Sequence, residues 1–132
     1  MPDNFLSVND WSSKEHEDFL FLTDKVKEGN YDSILENKNF ALVFEKASLR
    51  TRVSFEVAIK KLGGNAIYLS ENDIGLGKRE SVTHVAKNLN RWVDGIIARV
   101  YDHSTLINFT KNTNINLINA LSDLEHPCQA LA

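Results

Sequence analysis

Hydrophobic positions along the 132-residue chain alternate between two arrangements. Short, mostly apolar runs occur at 39–44, 65–69, 95–100 and 115–118. Runs of this length with polar flanks predict strands covered on both faces, as in a parallel sheet. Between them, apolar residues recur every three or four positions, the spacing of one helix face. Phe19, Leu22 and Val26 form the first such stripe, widened by Leu20 and Phe21. It begins near Asp10–Ser13, carries Glu15 and Glu17 where the helix dipole favours acids, and stops at Gly29. Val53, Phe55, Val57, Ala58, Ile59 and Leu62 form the second, closed by Gly63-Gly64. Val82, Val85, Ala86, Leu89 and Val93 form the third, on a helix read from Ser81 to Trp92 with Val93 just past its end, and Trp92 is expected in the core. Ser104 is expected to cap a weaker helix to Asn112, and Pro127 suits the first turn of a last one. His16 and His84 are expected at the surface. Ser70–Arg79 reads as an irregular polar connection, long enough to reach a ligand.

Strands alternating with helices imply βαβ units with right-handed crossovers. The expected architecture is α/β: a four-stranded parallel sheet with helices on both faces, three layers in one domain over 1–132. Composition agrees, with 42% hydrophobic and 25% charged residues. A net charge of −3 argues against a nucleic-acid or polyanion binder, so any cationic site must be local. The single cysteine, Cys128, excludes an internal disulfide and fits a reducing compartment. No apolar run approaches the roughly 20 residues of a membrane-spanning helix. The opening MPDNFLSVNDW resembles neither a signal nor a transit peptide, making the cytoplasm the expected location.

Chemistry concentrates where predicted strands end. After the first strand comes Ser48-Leu49-Arg50-Thr51-Arg52, two guanidiniums and two hydroxyls at the start of a helix. Ser48 can cap its first turn, and the arrangement suits an anion such as phosphate; the alternative is a solvated basic helix start. Arg52 can instead pair with Glu56 four residues on. Arg99 ends the third strand, and His126-Pro127-Cys128-Gln129 follows the fourth. In open α/β sheets, ligands bind outside the carboxyl ends of the strands, so these three segments should converge. Gly75-x-Gly77-Lys78 has neither the phosphate-loop nor the dinucleotide-fold spacing. Cys128 lacks an acid–base partner for nucleophilic work, and nowhere is there a metal-ligand spacing.

SLRTR, Arg99 at the end of GIIAR, and HPCQ together resemble the aspartate and ornithine carbamoyltransferase family. The nearest resemblance is to its ornithine branch, through FEK, LGGNAIYLSENDI and NALSDLEHPCQALA, and it covers about Phe40 to Ala132. It implies carbamoyl phosphate as ligand, with Ser48, Leu49, Arg50 and Thr51 cradling the phosphate. Arg99, His126 and the Thr51 hydroxyl would meet the carbonyl oxygen, and Gln129 the carbamoyl amide. It implies no cofactor and no metal, transfer to ornithine as part of arginine biosynthesis, and a homotrimer. Other acceptors (aspartate, putrescine or an acylated ornithine) and a non-catalytic phosphate-binding module are the alternatives. The family binds its acceptor mainly through a second domain that this sequence does not contain, so the 132 residues are expected to fold and bind without turnover. Two departures stand out. Leu49 replaces the threonine usual in ornithine enzymes. Gly75 replaces a histidine or glutamine that reaches a neighbouring subunit's site, and Gly75→His is expected to restore that contact.

Overall fold

The computed structural model describes residues 3–132. Four parallel strands form one sheet in the order β2-β1-β3-β4. They are β1 (Asn39–Phe44), β2 (Asn65–Ser70), β3 (Gly95–Arg99) and β4 (Asn116–Leu121). The inner strands carry the most apolar runs: Ala41–Phe44 and Gly95–Ala98 are buried throughout. Edge strand β2 alternates toward solvent.

Among the described residues six α-helices accompany the sheet, besides a single 3-10 turn at Val8–Asp10: α1 (Ser13–Lys27), α2 (Arg50–Lys61), α3 (Glu71–Ile74), α4 (Val82–Leu89), α5 (His103–Asn112) and α6 (Pro127–Leu131). Alternate strand residues face opposite layers. Ala41, Val43, Ile96, Ala98 and Leu117 pack with α4 and α5, whose Leu106 and Phe109 are wholly buried. Leu42, Phe44, Ile97 and Ala120 pack on the other face against Ile59 and Phe55 of α2. Fully burying side chains of this size contributes about 1.5–3 kcal/mol each. The expected three-layer α/β architecture is therefore present.

Local signals set the helix starts. Ser12 and Glu15 form a reciprocal capping box on α1, and the Ser81 hydroxyl accepts from the His84 amide on α4. Several expectations are corrected. Asp102, not Ser104, caps α5: its carboxylate accepts the Ser104 N–H at 2.7 Å. Strand β4 continues past Ile118 to Leu121, so the loop before His126 is shorter than expected. The connection after β2 contains α3, capped by Ser70 and Asp73. Helix α4 ends at Leu89, leaving Trp92 68% exposed rather than in the core. His16 is half-buried against Trp11, ring centroids 5.7 Å apart. No residue of α1 is fully buried, and Leu20, Phe21 and Leu22 are exposed.

The segment before α1 has a role that its pattern does not announce. Phe5 pairs in parallel with Ile118, giving its N–H to Leu117 and accepting from Asn119, both at 2.8 Å. It covers the open edge of β4, which would otherwise expose unpaired backbone groups.

Candidate functional site

The sheet order reverses between β1 and β3, whose last residues, Phe44 and Arg99, are register partners. Both strands thus deliver their following segments to one place. From β1 the chain runs through Glu45, whose N–H bonds the Arg99 carbonyl at 2.8 Å, into the start of α2. Leu49 already has helical torsions (φ −80°, ψ −57°), and its carbonyl accepts the Val53 N–H at 3.0 Å. Ser48 caps this turn as expected, its hydroxyl accepting the Thr51 N–H at 3.3 Å. A helix leaves its first N–H groups without intrahelical partners and its dipole positive end outward, so this turn favours an anion.

The arginines divide their tasks. Arg52 donates to Glu56 at 3.0 Å and stacks on Tyr68, 3.5 Å from the ring centroid. It is committed to the scaffold. Arg50 is exposed and has no hydrogen bond or ion pair among the described residues. Arg99 is half-buried: its Nη1 donates to the Thr51 hydroxyl at a long 3.4 Å, while its buried Nε has no partner.

His126 precedes α6, with Pro127 at the first helical position. Its Nδ1 is buried and also unpartnered. A buried polar atom left unpaired costs about 1–3 kcal/mol. Trp11 Nε1 and His16 Nε2 are also unpaired, but Arg99 and His126 line a cleft where a ligand can supply the partners. Burial, and then the Arg99 charge, hold the His126 pKa below the ordinary imidazole value, favouring the neutral ring. A neutral imidazole still offers one N–H and one acceptor nitrogen.

One cleft of about 430 Å³ holds Ser48, Leu49, Arg50, Thr51, Arg99, His126 and Gln129, and adds Ala47 and Leu121. All the residues expected at the carbamoyl and phosphate groups are therefore brought together. A second cleft of about 430 Å³ shares Arg50, Thr51, His126 and Gln129 and extends to Phe55 and Cys128. Sequence reading misses Leu121 because the fourth strand was expected to end three residues earlier; it pairs with Arg99 across a register irregularity in β3–β4. Gly75 does not line this cleft. It lies in a separate polar hollow with Glu71, Asn72, Lys78 and Arg79. Its backbone is left-handed (φ +59°), and a Cβ there would meet the Arg79 Cβ at 2.7 Å. The expected gain from Gly75→His is thus opposed by strain in its own loop. Cys128 is largely buried, its thiol pushed up to about 11 by desolvation, so it is protonated and a poor nucleophile.

An open parallel α/β sheet with a basic helix start at its switch point has the features that favour an anionic ligand such as a phosphate. Residues 3–132 match the family model for the aspartate/ornithine carbamoyltransferase carbamoyl-P binding domain, and the chain belongs to that family. It is 46% identical to the ornithine carbamoyltransferase of Methanocorpusculum labreanum, over 100% of this chain and 45% of that protein. It is 45% identical to the Shewanella oneidensis enzyme of the same name, over 98% and 44%. The crystal structure of ornithine carbamoyltransferase from Thermus thermophilus superposes with a TM-score of 0.92 at 44% identity, covering 99% of this chain and 46% of that one. The anabolic enzyme from Campylobacter jejuni gives 0.93 at 39%, covering 97% and 42%. The chain spans less than half the length of these relatives.

Proposed function

We propose that this chain is the carbamoyl-phosphate-binding domain of an ornithine carbamoyltransferase, which forms citrulline and phosphate from carbamoyl phosphate and ornithine. The observation that carries this reading is the cleft lined together by Arg50 at a helix start and by Arg99 and His126, whose buried Nε and Nδ1 have no partner. The relatives named for that activity support the choice of acceptor.

The roles follow from charge. Ser48, Leu49, Arg50 and Thr51 hold the phosphate through helix-start N–H groups, hydroxyls and the Arg50 guanidinium. Arg99, His126 and the Thr51 hydroxyl donate to the carbamoyl oxygen, and the Gln129 side-chain carbonyl accepts from the carbamoyl NH₂. When the amine nitrogen bonds to the carbonyl carbon, negative charge grows on that oxygen, where the donors already stand. The C–O bond to phosphate then breaks, the electron pair leaves with the phosphate, and the nitrogen passes its proton to the departing phosphate. Neutral His126 can donate without having to be charged. Leu49 keeps its backbone N–H but supplies no hydroxyl.

The acceptor amine is bound by a second domain of the longer protein, and the assembly is a homotrimer working in the cytoplasm in arginine biosynthesis. The exposed apolar stripe Leu49, Val53 and Val57 on α2 supports association between copies. Calorimetry tests the donor site. Carbamoyl phosphate should bind one per chain in competition with inorganic phosphate, and Arg99→Ala and His126→Ala should weaken carbamoyl phosphate but not phosphate. Equal losses for both ligands would remove these residues from the carbonyl. Citrulline formation by the longer protein, against a panel of amines, tests the acceptor. Donor binding with no transfer to any amine would favour a non-catalytic module.

A further inference from the structure

No hydrogen bond from the His126 ring to the protein exists among the described residues, so its orientation depends on the backbone that carries it. Two sets of contacts hold that backbone. His103 supplies one: its N–H donates to the Asp123 carboxylate and its Nδ1 lies against the Ser122 hydroxyl, both at 2.8 Å. Asn119 supplies the other. Asn119 is completely buried near the end of β4. Its Nδ2 donates to the Leu6 carbonyl at 2.8 Å, and at longer range reaches the Ser122 hydroxyl at 3.4 Å and the Glu125 carbonyl at 3.5 Å. Its Oδ1 accepts the Leu121 N–H at 2.9 Å. Its backbone carbonyl receives the Cys128 thiol at 3.6 Å, and its N–H bonds the Phe5 carbonyl at 2.8 Å. Asn119 therefore touches the N-terminal segment, the turn just before His126 and the helix just after it. Ser122 closes that turn, its N–H bonding the Glu125 carbonyl at 3.0 Å, and Glu125 in turn accepts the Val8 N–H at 3.4 Å.

A buried amide in a strand is tolerated only when its donors and acceptor are satisfied. Here one satisfying group, the Leu6 carbonyl, lies 113 residues from Asn119 in sequence, and the other acceptors belong to the turn that ends at His126. We propose that Asn119 is a positioning residue that ties the N-terminal segment to the His126 turn and so aims the imidazole into the cleft. This rests on the donor-site reading above. It also gives the edge-covering segment at Asn4–Leu6 a part in the chemistry: the Leu6 carbonyl anchors the amide that holds the turn.

Asn119→Ala tests it, with His126→Ala and Ser122→Ala alongside, by calorimetry and by the ligand-induced shift of the His126 ring protons in NMR spectra. The expected result for Asn119→Ala is a folded chain with carbamoyl phosphate affinity weakened roughly tenfold, the scale of one lost hydrogen bond. Inorganic phosphate affinity, set by Ser48–Thr51, should stay within about twofold, and the His126 shift should shrink. A lower melting temperature with unchanged carbamoyl phosphate affinity and His126 shift would make Asn119 purely structural and overturn the proposal. If Asn119→Ala does not fold, Ser122→Ala decides. It removes the 3.4 Å Asn119 contact together with the 2.8 Å contact between the Ser122 hydroxyl and His103 Nδ1, so His103→Ala, which removes only the latter, is the control. Ser122→Ala should give the same pattern at about two- to threefold, and an unchanged pattern, or one that His103→Ala reproduces, overturns the proposal. Should His126→Ala itself leave carbamoyl phosphate affinity intact, the donor-site reading falls and the positioning role with it. If His126→Ala weakens binding while Asn119→Ala and Ser122→Ala do not, only the positioning role falls.

Discussion

Replacing Arg50 with alanine separates binding from folding more cleanly than any other change in the cleft. The side chain is exposed in the first turn of α2 and makes no hydrogen bond or ion pair among the described residues. Surface substitutions of this kind shift stability by within about 0.5 kcal/mol, and alanine favours the helix slightly. The functional loss is larger. A hydrogen bond to a charged group contributes roughly 1.5–3 kcal/mol, or about ten- to 150-fold in affinity. Solvent screening at this exposed position favours the lower half of that range, and more salt should narrow the gap between variant and parent. Calorimetric titration with carbamoyl phosphate and with inorganic phosphate, each at low and high salt, measures the effect. Both ligands should lose affinity together, because both present the same phosphate oxygens. Arg50→Lys should recover part of it, keeping the charge but not the forked donor geometry. Unchanged affinity for both anions, or a loss for carbamoyl phosphate alone, would refute the assignment of Arg50 to the phosphate.

Gly75→His should lower thermal stability or speed proteolysis of the loop after β2, because its left-handed backbone and the 2.7 Å approach to Arg79 penalise any Cβ by about 1–3 kcal/mol; an unaltered melt with tighter ligand binding would show that the loop adapts freely. Cys128 should react slowly with alkylating agents at neutral pH, since moving its thiol from 9.0 to about 11 reduces the thiolate roughly a hundredfold; labelling as fast as a free peptide thiol would contradict the burial. For His126, the folded pKa lies below its unfolded value of 6.5, so the unfolded chain binds the proton more tightly. The neutral ring's contribution is complete above 6.5 and declines as pH falls toward the lowered folded value. His126→Gln should flatten that part of the stability profile measured by chemical denaturation, and an identical profile would show that the ring titrates alike in both states.

Much of this was legible in the chain, and the exceptions share a cause. Strands β1 and β3 show as apolar runs because they are inner parallel strands covered on both faces, and edge strand β2 shows through its short run at 66–69. The end of β4 is hidden because Asn119 interrupts its run; a polar residue reads as a loop unless its partners are known, and those lie at Leu6 and Glu125. Pairing of Phe5 with Ile118 is hidden for a similar reason, since a single bridged residue has no periodicity. Helical spacing extends α4 to Trp92, but the helix ends at Leu89, and beyond it Val93 turns into the core while Trp92 is left outside. The capping box of Ser70 and Asp73 is a visible start signal for α3, overlooked because no apolar stripe follows. The cleft residues were readable because each motif follows a strand.

That last property explains why so short a set of residues suffices. At the switch point the chain leaves β1 toward β2 and leaves β3 toward β4, in opposite directions across the sheet. The segments after β1 and β3 therefore diverge, and the space between them is a crevice that no crossover helix fills. Arg99 and Phe44 are adjacent in register, so the guanidinium rises into that crevice beside the start of α2, within reach of Thr51. The third contributor comes from β4, whose turn is not at the switch point and needs a separate constraint to place His126 there. The buried Asn119 amide and the N-terminal segment supply it. Loop positions on the two inner strands are thus fixed by sheet register, while the histidine's position is fixed by side-chain hydrogen bonds, which a single substitution can remove. Sensitivity to mutation should accordingly be greater around His126 than around Arg99 for changes made outside the cleft itself.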